Sequence, residues 1–184
     1  MIEDSIIEIK NILGRFDQVL FKNFEKLVNQ SIKSLKYNGK IIFFGNGGSA
    51  SDAEHLATEL VIKFKKKRKS LPSIALSANT ALITACANDY GYENIFSRQL
   101  ESLMSPKDVI IGISTSGKSK NVLKALNYAK ENGNFTCLFT GLAFKKNKYN
   151  SLIKVPSTVT SRIQECHIFL GHELISNIEK NLKC

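Results

Sequence analysis

The sequence predicts an α/β domain built on a doubly wound parallel sheet, with an extra long N-terminal helix. Three observations predict it. Short, largely apolar runs at 40–44, 73–77, 109–113, 135–139 and 152–155 alternate with segments of helical period. That alternation is the mark of a parallel sheet covered by helices on both faces. Two of the runs end in loops rich in glycine and hydroxyl residues, 45–49 and 114–119. The first 36 residues carry apolar side chains at helical spacing and no strand signal.

Taken in order, Ile2, Ile6, Ile9, Leu13, Phe16, Leu20, Phe24 and Leu27 recur every three or four positions and predict one helical region over 2–36. Ser5 followed by Glu8 fits a capping box. Ile7, Ile12, Val19, Phe21 and Val28 widen the stripe enough to face a partner subunit as well as its own core. Asn38-Gly39 breaks the pattern. A strand at 40–44 leads through Gly45-Asn46-Gly47-Gly48-Ser49 into a helix reaching about 64. A second strand covers 73–77, and Asn79 caps a helix to about 87. Residues 93–103 read as a further helix. The run 109–113 is apolar throughout, as a fully buried strand is, and Ser114-Thr115-Ser116-Gly117 leads into a helix to about 132. Strands at 135–139 and, more weakly, 152–155 precede a closing helix over 160–180. Repeats, low-complexity stretches and linkers are absent, so residues 1–184 are expected to form one domain.

Composition excludes several classes. Hydrophobic residues make up 43% and charged residues 23% of 184, a globular balance rather than a disordered one. No apolar run approaches 18 residues, so no membrane-spanning helix is expected. Met1-Ile2-Glu3-Asp4-Ser5 lacks the basic and apolar regions of a secretory signal, which predicts a cytoplasmic protein. Cys86, Cys137, Cys166 and Cys184 form no C-x-x-C pair and are read as reduced thiols. The net charge is +10, and six of the seven residues at 63–69 are basic. That run suits either an anionic partner or a solvated helix end. Without a nucleic-acid motif or basic-aromatic interleaving, nucleic acid is not the expected partner.

The chemistry is expected at the two unusual loops, because open α/β sheets bind ligands beyond the carboxyl ends of their strands. Glycines at 45, 47 and 48 let backbone approach a ligand, and the following helix N-terminus favours an anion. The run from Ser114 to Ser119 offers four hydroxyls and a second helix start, a set that satisfies phosphate oxygens. Neither loop has the spacing of a nucleoside-triphosphate or dinucleotide fingerprint, so the expected ligand is a small molecule bearing phosphate. His55 and Glu59 share a helix face at i and i+4, a spacing that holds one Zn²⁺ or makes a plain hydrogen-bonded pair. Gln164, His167 and His172 lie on the last helix. Gln164 and His172 stand about 12 Å apart along its axis and some 80° around it. They serve one ion only by leaning together, through a helix irregularity, or from different subunits. His167 reads as exposed or capping. Asn88-Asp89 before Tyr90-Gly91 fits turn chemistry.

Taken together, Gly45-Asn46-Gly47-Gly48-Ser49 running into Asp52-Ala53-Glu54-His55, then Asn88-Asp89-Tyr90-Gly91, Gly112-Ile113-Ser114-Thr115-Ser116-Gly117 and Arg162-Ile163-Gln164-Glu165, resemble the sugar isomerase (SIS) family. Within it they look like the phosphoheptose isomerases. The resemblance covers nearly the whole chain in order. It implies conversion of sedoheptulose 7-phosphate to D-glycero-D-manno-heptose 7-phosphate through an enediol, the first step toward heptose for lipopolysaccharide core or other bacterial surface glycans. It implies a cytoplasmic homotetramer with sites between subunits and one Zn²⁺ per site. Carried over by position, it implies substrate contacts from Asn46, Gly47, Gly48, Ser49, Glu59, Asn88, Asp89, Ser114, Thr115, Ser116, Ser119 and Gln164. Zinc would be held by His55, Glu59, Gln164 and His172, with Glu59 as base and His172 as partner acid.

The sequence departs from that pattern at three positions. Lys63 stands where some members have Arg, which loses the bidentate fork of a guanidinium. Ser161 stands where some have Asp, and Lys118 where Asn is common. Two rival readings are a non-enzymatic SIS module, such as a replication-initiator-associating protein, and an isomerase of another sugar phosphate such as arabinose 5-phosphate. The first rival lacks the Glu and the final His of the metal set, both of which are retained here as Glu59 and His172.

Overall fold

The structure is a computed structural model and describes residues 1–146 and 148–182. The chain runs α1 (Ile2–Leu13), α2 (Gln18–Lys36), β1 (Ile41–Gly45), α3 (Gly48–Val61), β2 (Ser73–Ala75), α4 (Thr80–Tyr90), α5 (Ser97–Leu103), β3 (Val109–Ile113), α6 (Lys120–Glu131), β4 (Phe135–Gly141), β5 (Ser151–Val155) and α7 (Thr160–Asn181). A single 3-10 turn, Tyr92–Asn94, joins α4 to α5. The five strands are parallel, in the order β2-β1-β3-β4-β5. The order reverses between β1 and β3, and a crevice opens there at the strand C-termini.

Alternation along the strands divides the core in two. Ile41, Phe43, Val109, Ile111 and Phe139 pack toward α2, α3 and α7. Ile42, Phe44, Ile110 and Leu138 pack toward α4, α5 and α6. Every residue of β1 and β3 is buried. Both faces of these strands are covered, so they read as unbroken apolar runs rather than alternating ones.

Four local expectations are corrected. The N-terminal region is two helices rather than one. Asp17 starts α2 by accepting the Leu20 N–H at 2.8 Å, and the chain turns at Gly14 just before it. Ser5 is inside α1 rather than at its cap, and the carboxylate of Glu8 is taken by Arg162 of α7 at 2.8 Å. The stretch 93–103 is also interrupted, because the chain turns at Ile95 and Phe96 to bury both in the second core. In addition, α4 continues to Tyr90, so Asn88 and Asp89 lie in its last turn.

The N-terminal stripe divides by burial. Ile12, Leu20, Leu27 and Val28 enter the first core, while Ile2, Ile6, Ile7, Val19 and Phe21 remain exposed. Cys86, Cys137 and Cys166 are buried free thiols, and Cys184 lies outside the described residues. Among the described residues, no helix is long and apolar enough to cross a membrane.

Candidate active site

The first loop is built at the end of β1. Gly47 adopts φ 55°, a left-handed conformation that turns the chain out of the strand into α3 at Gly48. Asn46 is held by a reciprocal amide pair. Its Nδ2 donates to Asn121 Oδ1, and Asn121 Nδ2 donates back to Asn46 Oδ1, both at 2.9 Å. The Tyr92 hydroxyl donates to the same Asn46 oxygen at 3.0 Å. Ser49 is buried in the first turn of α3.

The second loop follows β3. Ser114 is buried and its hydroxyl donates to Ser119 Oγ at 2.9 Å. Ser116 Oγ accepts the Lys118 N–H at 3.2 Å. Gly141 of β4 donates its N–H to the Thr115 carbonyl at 2.9 Å, which pins the loop to the neighbouring strand. Asn121 stands one residue inside α6, so its pairing with Asn46 ties the two loops across the switch point.

The third part lies between α3 and α7. At the start of α3, Gln164 lies directly over Gly48. A Cβ at Gly48 would stand 2.3 Å from the Gln164 side-chain nitrogen, so only glycine leaves room for the amide. One turn on, Asp52 is buried. Burial pushes its carboxyl up to about 6, against the opposing pull of the Gln164 side chain and of His55. Its Oδ2 has no hydrogen-bond partner. A turn further, His55 Nε2 stands 2.9 Å from His172 Nε2 and 3.6 Å from Glu59 Oε1. Phe64 stacks on the His172 ring, with centroids 5.3 Å apart and planes at 19°. Burial, with His55 next in effect, pulls His172 below the usual imidazole range.

The structure thus brings His55, Glu59 and His172 together within one chain, and sets Gln164 beside Gly48 and Asp52. Asn88 and Asp89 are exposed, and their side chains pair with each other at 2.8 Å rather than with either loop. Lys63, Lys118 and Ser161 are exposed. His167 is corrected. It is neither exposed nor a cap, but buried against Phe139 with Nε2 3.3 Å from the Thr140 carbonyl. Burial pushes its pKa down to about 4.

Sequence reasoning assigned no role to Asp52, Phe64, Tyr92 or Asn121. Asp52 was visible within the motif that ends at His55. The other three act through partners 46 to 108 residues away, and spacing carries no signal for such contacts.

The donor set suits a divalent metal. Two imidazoles sharing a tetrahedral zinc through bonds of about 2.0–2.1 Å put their nitrogens roughly 3.4 Å apart. The 2.9 Å approach of His55 to His172 is within half an ångström of that, and Glu59 is on the same side. Among the described residues, no group of three or more His, Cys, Asp or Glu side chains is placed to hold a metal ion, so these residues offer the donor types without a formed cage.

A SIS domain family model matches residues 6–141. A phosphoheptose isomerase of Paramagnetospirillum magneticum is 47% identical over 180 residues, covering 97% of this chain and 94% of that protein. Among solved structures, phosphoheptose isomerase GmhA from Neisseria gonorrhoeae superposes with a TM-score of 0.88 at 33% identity, covering 97% of each chain. A phosphoheptose isomerase from Francisella tularensis gives the same TM-score at 30% identity, covering 97% and 94%.

Proposed function

The chain belongs to the SIS-domain family, among the phosphoheptose isomerases, and from that premise we propose how its residues carry out the isomerisation. The reaction interconverts sedoheptulose 7-phosphate and D-glycero-D-manno-heptose 7-phosphate, an aldose–ketose exchange that moves hydrogen between C1 and C2.

Glu59 is the base. Its carboxylate removes a proton from C1 of the ketose, the C1–C2 bond becomes double, and the C2 oxygen gains a proton to give an enediol. Loss of the O1 proton and return of a proton to C2 complete the aldose. His172 serves the oxygens, which take up and release protons in turn. His55, Glu59, Gln164 and His172 would hold Zn²⁺, with Gln164 swinging from Gly48 to join the set. When bound, zinc polarises the carbonyl and stabilises charge developing on the oxygens. A carboxylate held tightly by a metal is a poorer base, so Glu59 would serve as both ligand and base only with coordination that is loose or changes during turnover.

The loops supply position. Ser114, Thr115, Ser116 and Ser119 take the remote phosphate at the start of α6, and its binding energy orients the reacting end. Asn46, Gly47, Gly48 and Ser49 line the sugar, and Asn88 and Asp89 reach its hydroxyls. The meeting of Glu59 with two histidines on neighbouring helices is the observation that carries this reading most strongly.

The exposed apolar residues of α1 and α2, with the exposed Asn88 and Asp89, support a homotetramer whose sites are completed between subunits. The enzyme is placed in the cytoplasm, supplying heptose for lipopolysaccharide core or other surface glycans. The test is product formation followed by NMR, with and without Zn²⁺, from sedoheptulose 7-phosphate and from arabinose 5-phosphate, beside a light-scattering mass. Turnover of the first alone by a tetramer is expected. Turnover of the second alone would overturn the substrate assignment.

A further inference from the structure

Six of seven residues at 63–69 are basic, yet the run does not act as one solvated patch. Arg68 is drawn inward. Its side chain is 1% exposed, and its Nε lies 2.8 Å from Glu179 Oε1, itself 2% exposed. The Glu179 carboxylate also accepts the backbone N–H groups of Phe64, Lys65 and Lys66 at 3.1, 3.0 and 3.2 Å. Four donors converge on one buried carboxylate, which lies below the usual range because those hydrogen bonds outweigh its burial.

The other arms of Arg68 close the end of α3. Nη2 donates to the Glu59 carbonyl and Nη1 to the Leu60 carbonyl, both at 2.8 Å. These carbonyls lack helical partners, and a guanidinium there also complements the helix dipole. One ion pair therefore joins the end of α3, the loop after it and the end of α7. Upstream, the two helices are already close, since a Cβ at Gly171 would meet Leu56 at 2.6 Å. Within the clamped loop, Phe64 lies flat on His172. Lys65 sits with its ammonium over the Phe64 ring, 5.0 Å from its centroid, and 3.5 Å from Ser176 Oγ.

We propose that Arg68, Glu179 and Phe64 are positioning residues of the isomerase site. The ion pair fixes α3 against α7 and anchors the loop, so that Phe64 holds the His172 ring facing His55 and Glu59. None of the three touches the reacting atoms. The role rests on the reading of His172 given above. An outer partner of this kind typically changes metal affinity or activity by about 10–100-fold when removed.

Phe64 allows the cleaner test, because changing it leaves the buried ion pair intact. Phe64→Leu removes the stacking surface, and Phe64→Tyr keeps it. The readouts are kcat and KM for sedoheptulose 7-phosphate, Zn²⁺ affinity by calorimetry on metal-free protein, and Tm. Phe64→Leu is expected to lower kcat and Zn²⁺ affinity each by about tenfold with KM within about twofold. Phe64→Tyr is expected to restore both. Glu179→Gln is expected to act in the same direction and to lower the Tm as well. Wild-type kcat and Zn²⁺ affinity in Phe64→Leu, beside an inactive His172→Ala control, would overturn the positioning role alone. Wild-type behaviour of His172→Ala would overturn the site assignment together with it.

Discussion

His55 Nε2 lies 2.9 Å from His172 Nε2, although 117 residues separate them in the chain. At that distance one ring must donate and the other accept, so only one of the facing nitrogens carries a proton. With the protons of both rings on Nδ1, the two facing nitrogens would each offer a lone pair to a shared metal.

His172→Ala is therefore expected to weaken Zn²⁺ binding by more than about 100-fold, beyond the loss of a mere outer partner. Calorimetry on chelator-stripped protein checks this. Chelation should lower turnover and added Zn²⁺ should restore it.

The Asn46–Asn121 amide pair ties the two ligand loops together. Asn121→Ala takes the acceptor from Asn46 Nδ2 and leaves the half-buried Asn46 oxygen to Tyr92 alone, a loss of about 1 kcal/mol. A KM for sedoheptulose 7-phosphate raised on the order of tenfold, with a smaller change in kcat, is the expected steady-state result.

Gly48→Ala separates stability from activity. Alanine is a better helix former than glycine by up to about 1 kcal/mol, so the Tm is expected to hold or rise. The new methyl occupies the place of the Gln164 amide and displaces it. Gln164 leaves Gly48 to join the proposed metal set, so Zn²⁺ affinity should hold in the same sample, and a fall in turnover of about tenfold would report the methyl intruding on the sugar loop.

His167 makes stability depend on pH. Its pKa is about 4 in the fold against an ordinary 6.5, so the unfolded chain binds the extra proton first. The contribution is complete above pH 6.5 and is lost as pH falls through 4. It amounts to at most about 3 kcal/mol. Urea unfolding between pH 4 and 8 should show a slope shallower in His167→Leu by up to about 1.4 kcal/mol per pH unit.

Much of the architecture is legible in the sequence because the strands are buried on both faces. Val109 to Ile113 reads as a strand from its unbroken apolar run, and the structure gives β3 the same bounds. The loops at 45–49 and 114–119 are legible because glycine and serine clusters after such strands have few other uses. The break at Gly14–Asp17 is hidden by an apolar period that continues through both helices, as Phe16 and Leu20 still face the core. His167 is misplaced because its neighbours on α7 give no sign that β4 passes beneath it. Arg68 is lost in a run of lysines, since only the fold shows that Glu179 draws it inward.

The central claim is that Glu59 takes the proton from C1. Wild-type protein and Glu59→Gln, each with Zn²⁺ and sedoheptulose 7-phosphate in D₂O, would be followed by ¹H NMR for loss of the C1 signal and growth of the aldose. The account predicts exchange and product in the wild type. In Glu59→Gln it predicts both slowed by about 10²–10⁴-fold, as for removal of a general base, with the Tm little changed. Exchange at the wild-type rate in folded Glu59→Gln would contradict it.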